Sequence, residues 1–169
     1  MIYWYRFTGY PAYRQYRKEI KDRITTATED EDLNYYLAVN EAVCNAARYG
    51  TQGVLDTAIQ IKLKIEPDAL QTKIFSSTKA FDMLAYRNQL RALAQDETTK
   101  SLDWDKWLQD ADHGRGIWLM LAACDFICME KSGQFIELHT PLPFQDRIVK
   151  TQIGHLVSRF FIDDRGMII

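Results

Sequence analysis

The chain lacks the features that would set it apart from ordinary globular proteins. Its 169 residues hold three cysteines, an odd number, and Cys44, Cys124 and Cys128 form no Cys-x-x-Cys pair. A disulfide framework and a zinc ribbon are excluded as organising principles, and the thiols are expected to be reduced packing residues of a cytoplasmic protein. No apolar run approaches the roughly 20 residues needed to span a bilayer. The opening MIYWYRFTGYPAYRQYRKE has no apolar core of the signal-peptide kind. Nor is there an excess of positive charge: 21 Lys and Arg stand against 23 Asp and Glu, for a net charge of −2. That balance argues against direct nucleic-acid binding and against an anionic membrane surface. Internal repeats, low-complexity tracts and linkers are also missing.

What is present is 47% hydrophobic and 26% charged, in a length that suits one domain burying about two-thirds of its unfolded surface. One stretch organises the rest. Leu33 to Gly50, LNYYLAVNEAVCNAARYG, is laid on a helix at about 100° per residue. Leu33, Tyr36, Leu37, Val39, Val43, Cys44 and Ala47 then fall on an apolar arc, with Asn34, Glu41, Asn45 and Arg48 on a polar stripe at its edge. A carboxylate, an amide and a guanidinium project side by side from that stripe. Such a surface suits a general base, a metal-coordinating oxygen and a phosphate-facing cation; a merely solvated face is the alternative. Thr28 and Glu31 have capping-box spacing at its start, and Gly50 and Gly53 supply its stop.

Around this helix the chain reads as alternating elements. Met1 to Phe7 suits a strand and Pro11 the first turn of a helix running to about residue 26, with Tyr13, Tyr16, Ile20 and Ile24 on one face. Seven aromatics in the first sixteen residues fit packing on the core or at a homodimer contact better than a ligand cage. TAIQIKLKI alternates strictly, and Leu70 to Ser76 returns as the second strand of a hairpin. Phe81 to Gln95 is helical in pattern. The polar segment from Asp96 to Asp112 is a candidate lid anchored by Trp104 and Trp107. Gly114-Arg115-Gly116 leads onto an apolar helix, and Phe126 to Glu130 and Phe135 to Thr140 form two further strands. From Gln145, the residues Ile148, Val149, Ile153, Leu156 and Phe160 have helical spacing. The order predicts an α+β, two-layer sandwich with a mainly antiparallel sheet and helices on one face. Residues 1–142 would form the domain, with 143–169 a C-terminal helical extension packed on it.

Order and motifs together resemble the histidine-kinase-like ATPase fold shared by gyrase, heat-shock chaperone, sensor kinase and mismatch-repair ATPases. LAVNEAVCNAARYG resembles the N-box of its anti-sigma-factor serine/threonine-kinase branch, and Asp112 to Ile117, DHGRGI, resembles the glycine box that ends the lid. The resemblance implies ATP and Mg2+ as cofactors, with Glu41 as general base and Asn45 as the magnesium ligand. Gly114 and Gly116 would bring backbone N–H groups to phosphates, with Arg115 and Arg48 as supporting charge. It further implies a sigma factor and its antagonist as protein partners, phosphoryl transfer to the antagonist, and homodimers.

One segment departs from the family pattern. Where Asp-x-Gly-x-Gly-Phe-Asp belongs, this chain reads Ser76-Ser77-Thr78-Lys79-Ala80-Phe81-Asp82. Ser76 stands where the resemblance places the aspartate that accepts the adenine amino group. Losing a hydrogen bond to a charged group costs about 1.5 to 3 kcal/mol, or roughly ten- to a hundredfold in affinity. The alternative reading is therefore a non-catalytic protein-interaction module on the same fold.

Overall fold

The computed structural model describes residues 1–29, 33–79, 81–108, 114–143 and 152–163. In chain order the elements are β1 (Ile2–Thr8), α1 (Gly9–Ala27), α2 (Leu33–Arg48), α3 (Gly53–Asp56), β2 (Ala58–Ile65), β3 (Ala69–Ser76), α4 (Met83–Gln95), α5 (Trp104–Trp107), α6 (Arg115–Ala123), β4 (Phe126–Glu130), β5 (Phe135–Pro141), α7 (Ile153–Val157) and β6 (Phe160–Asp163). The six strands make one sheet in the order β1-β2-β3-β5-β4-β6. All neighbours are antiparallel except β6, which runs parallel to β4. This is the expected α+β fold.

Strict alternation gives the sheet two unlike faces. Ile59, Ile61 and Leu63 of β2, with Leu70, Thr72 and Ile74 of β3, point into the core under the helices. Their neighbours Gln60, Lys62, Lys64 and Lys73 line the outer face, where Trp4 is half exposed between Arg6 and Lys62.

Helix α2 lies on the sheet with α1 on one side and α6 on the other. Three flanks must be filled, so the buried face is broad and its residues small: Ala38, Ala42, Ala46 and Ala47 are buried beside Tyr35, Tyr36, Val39 and Val43. Leu33 and Leu37, placed on the apolar arc from the sequence, are instead 50% and 41% exposed. The expected arc thus shifts toward Tyr35 and the alanines. Tyr35 is fully buried, and its hydroxyl hydrogen-bonds to Thr72 Oγ1 and Leu138 O, both at 3.0 Å.

Helix α1 runs Gly9–Ala27, with Pro11 in its first turn as expected; Gly9 adopts φ 73°, and a Cβ there would lie 1.9 Å from Leu55 O. Two further expectations are corrected. Thr28 closes α1 instead of capping α2, its N–H donating to Ile24 O at 2.9 Å; Glu31, its expected partner, lies outside the described residues. Phe160 opens β6 instead of ending a long helix, since Ile127 of β4 offers it a strand edge and a buried contact. Ile148 and Val149 lie outside the described residues. The short α7 before β6 is held by backbone bonds from Ile153 to Leu102 O and from Gly154 to Lys100 O.

Burial holds the Tyr35 hydroxyl well above the ordinary tyrosine range. Unfolded tyrosine ionises near about pH 10, so the stability linked to Tyr35 is intact below that pH and lost as pH rises beyond it. Tyr35→Phe removes the hydroxyl that Thr72 Oγ1 and Leu138 O share and should cost about 1 to 3 kcal/mol. Urea unfolding at pH 7 reads that cost, and the same experiment above pH 10 should show the variant less alkali-sensitive than the parent.

Candidate functional site

Residues four and three apart on α2 open a hollow rather than fill it. Ala42, Asn45, Ala46 and Tyr49 share one helix face and form one wall of a cavity of about 390 Å³. Its floor is a cross-strand row: Ile74 pairs with Ile136, which pairs with Met129. Ile117 and Met120 of α6 face α2 from the other side, and Met83 and Tyr86 of α4 close the end. The two small alanines are what leave the space; that volume is within the roughly 300 to 1,000 Å³ of small-molecule sites.

The sequence-derived residues distribute as follows. Asn45, Ser76 and Gly114 all line the cavity. The Asn45 side chain makes no hydrogen bond to a described residue, which leaves its amide oxygen available. Ser76 ends β3 on the core face, its backbone N–H committed to Gln134 O and its hydroxyl unengaged by described residues. Gly114 caps α6 in the left-handed conformation, φ 96°, which glycine adopts without strain. Gly116, the second residue of α6, explains how closely Glu41 of α2 approaches that helix: a Cβ at that position would lie 2.3 Å from Glu41 Oε1. Glu41 therefore sits against the N-terminal turn of α6, where the helix dipole favours a negative charge.

Glu41 and Gly116 meet each other but are not among the lining residues, and two further residues fall elsewhere. Arg48 is exposed and donates to Cys44 Sγ at 3.8 Å, and Arg115 is exposed and donates to Leu108 O at 3.4 Å; neither lines the cavity. The described lining carries a cation the sequence argument did not assign, Lys79, at the exposed mouth beside Tyr49 and Phe81. Burial, and next the nearby Tyr49, pushes the Tyr86 hydroxyl above its ordinary range. Met83 and Tyr86 have helical spacing on α4 but no signal that ties them to a site, and Met120, Met129 and Gly133 were missed as well.

The segment that departs from the family pattern has a definite structure here. After β3 it pairs with the residues that follow α2: Thr51 N–H donates to Ser77 O at 2.8 Å and Lys79 N–H to Tyr49 O at 2.9 Å. Thr78 bridges to Gly50, its hydroxyl donating to Ser132 O at 3.4 Å. Ala80 lies outside the described residues. Asp82 is the N-cap of α4, its carboxylate accepting from Ala85 N–H at 2.9 Å.

A larger and more open hollow, of about 720 Å³, lies between Tyr3, Ile65 and α1. Of its charged groups, Arg23 lies 3.6 Å over the Tyr3 ring and bonds to Glu19 at 2.7 Å, while Lys18 and Asp22 make no ion pair with a described residue. The smaller cavity is the one where Asn45, Ser76 and Gly114 meet. Among the described residues no group of three His, Cys, Asp or Glu side chains could hold a metal ion, and no helix is long and apolar enough to cross a membrane. The three cysteines are free thiols, Cys124 buried and Cys44 and Cys128 half-buried.

A six-stranded, mainly antiparallel sheet under one helical layer, with a cavity between the N-box helix, the sheet and a glycine-led helix, defines an ATPase domain of the histidine-kinase class. The chain belongs to that family: the pattern of the histidine kinase-like ATPase domain matches residues 8–138, from the end of β1 to β5. A search among curated proteins found no match. Helix α7 and strand β6 lie beyond the matched region.

Gly116→Ala should displace Glu41 without unfolding the protein, because the clashing atoms are the far end of a flexible side chain. Thermal stability is expected to change by less than about 1 kcal/mol. The amide resonances of the α6 N-terminal turn should shift in NMR spectra, and an unchanged spectrum would contradict the close approach.

Proposed function

We propose that this chain is an ATP-binding regulatory protein of the anti-sigma-factor serine/threonine-kinase type, which binds a sigma factor and phosphorylates its antagonist. The observation that carries the reading is the convergence of Asn45, Ser76 and Gly114 on one cavity; Glu41, one helical turn before Asn45, lies against Gly116, two residues after Gly114. A triphosphate would run from that cavity toward the N-terminus of α6, where free backbone N–H groups and the helix dipole favour anions. Asn45 fits magnesium: an amide oxygen without a described partner is a suitable hard ligand, and the ion keeps most of its coordination for water and phosphate. Magnesium bound there would neutralise phosphate charge.

Glu41 would accept the proton of the partner's hydroxyl as that oxygen bonds to the γ-phosphorus and the bond to the ADP oxygen breaks. The products are a phosphoserine or phosphothreonine on the partner and ADP. Glu41 has no ion pair with a described residue to compete for that proton.

A second reading is favoured by one observation. Among the described lining residues there is no carboxylate, and the hydrogen-bonding side chains beyond Asn45 are hydroxyls and one lysine. The protein would then act as an interaction module, holding its partner with weak or no use of nucleotide.

Calorimetric titration with ATP and magnesium separates the two. Micromolar binding weakened at least tenfold by Asn45→Ala supports the kinase reading; Glu41→Gln should keep binding and lose phosphoryl transfer. No heat at millimolar nucleotide, together with a protein partner that co-purifies without nucleotide, would leave the module.

A further inference from the structure

We infer that the sheet end of the cavity does not choose between amino- and oxo-purines, so that the site takes purine nucleoside triphosphates of both kinds, and that Ser76 sets this tolerance. The inference rests on the nucleotide reading above and concerns the base alone. The floor Ile74, Ile136 and Met129, with Met83 at the side, is an apolar surface that suits a ring. Ser76, the next inward residue of β3 after Ile74, and Thr78 line the same cavity, so their hydroxyls would meet the polar edge of such a ring.

A carboxylate only accepts hydrogen bonds, and so selects a ring that offers an amino group. A serine hydroxyl donates or accepts by rotating its proton. The Ser76 hydroxyl has no described partner to fix that rotation, and its backbone N–H is already satisfied by Gln134. Thr78 donates to Ser132 O and therefore keeps its oxygen as an acceptor. Lys79 at the mouth adds a donor with no described ion pair. The cavity thus offers an acceptor in Thr78, a group of either sense in Ser76 and, at its mouth, a donor in Lys79. An amino group at the ring's sixth position and a carbonyl there can both be matched.

The test is titration calorimetry of the full chain with ATP and with ITP, which differ in that group and in the proton that ITP carries on the neighbouring ring nitrogen, in the presence of magnesium. The two affinities should agree within about threefold. Ser76→Ala should weaken both by the same factor. Ser76→Asp should favour ATP over ITP at least tenfold, since the carboxylate accepts from the amino group and faces the carbonyl oxygen with like charge; a thermal melt verifies that each variant is folded. A tenfold preference in the parent protein, or unequal losses in Ser76→Ala, overturns the inference while leaving nucleotide binding in place. An unmoved ratio in folded Ser76→Asp overturns it as well. Binding of neither nucleotide overturns it together with the nucleotide reading.

Discussion

Helix α2 is tied to strand β3 at both of its ends, and the cavity exists because of those two ties. Near the start of the helix the fully buried Tyr35 hydroxyl bonds to Thr72 on β3 and to the backbone of β5. Past its end, Tyr49 and Thr51 exchange backbone bonds with Lys79 and Ser77, the continuation of β3. A helix fixed at two points cannot sink further onto the sheet between them, so Ala42 and Ala46, though buried, border a space. Collapse into that space would require giving up buried hydrogen bonds, each of which costs about 1 to 3 kcal/mol when left unmade. The hollow is thus a consequence of polar anchoring at either side of a small-residue helix face.

The same anchoring explains how the segment after β3 keeps its place without the glycines of its family. Among the described non-glycine residues only Glu29 has a positive φ, so Thr78 takes an ordinary backbone conformation and needs no glycine. Its place is fixed by pairing to the residues around Gly50, which itself must lack a side chain because a Cβ there would lie 1.9 Å from Thr57 Oγ1. The surviving Asp82 has a local role as the cap of α4. The side chains that this segment brings to the cavity are the hydroxyls of Ser76 and Thr78 and the ammonium of Lys79.

Much of this was legible in the sequence. The alternation in TAIQIKLKI sets the strand and its inner face, and the order of elements gives the α+β layers. Asn45 and Ser76, distant in the chain, were brought to one site by motif order alone. The misplacements have physical causes. Leu33 and Leu37 outrank alanine on any hydrophobicity scale, yet a helix flanked on three sides buries alanine because it fits. Thr28 and Glu31 satisfy the spacing of a capping box, but a threonine also ends a helix, and spacing does not tell the two apart. Phe160 fits a helical period over a short window; only the unpaired edge of β4, a distant part of the chain, makes it a strand. Methionines scattered over three elements carry no local signal of a shared site, and their meeting around the cavity is purely tertiary.

Those three methionines give the cavity a property that its fixed helix does not. Met83 and Met120 are 2% and 3% exposed, and Met129 is half-buried. Their side chains are unbranched and polarisable, with three rotatable bonds each, and repack at little cost. The wall that α2 presents is rigid, while the sulfur-lined walls opposite can adjust to the outline of what enters. That adaptability carries an oxidative liability: sulfoxide formation at Met129, the most accessible of the three, would turn a yielding apolar surface into a polar, chiral one.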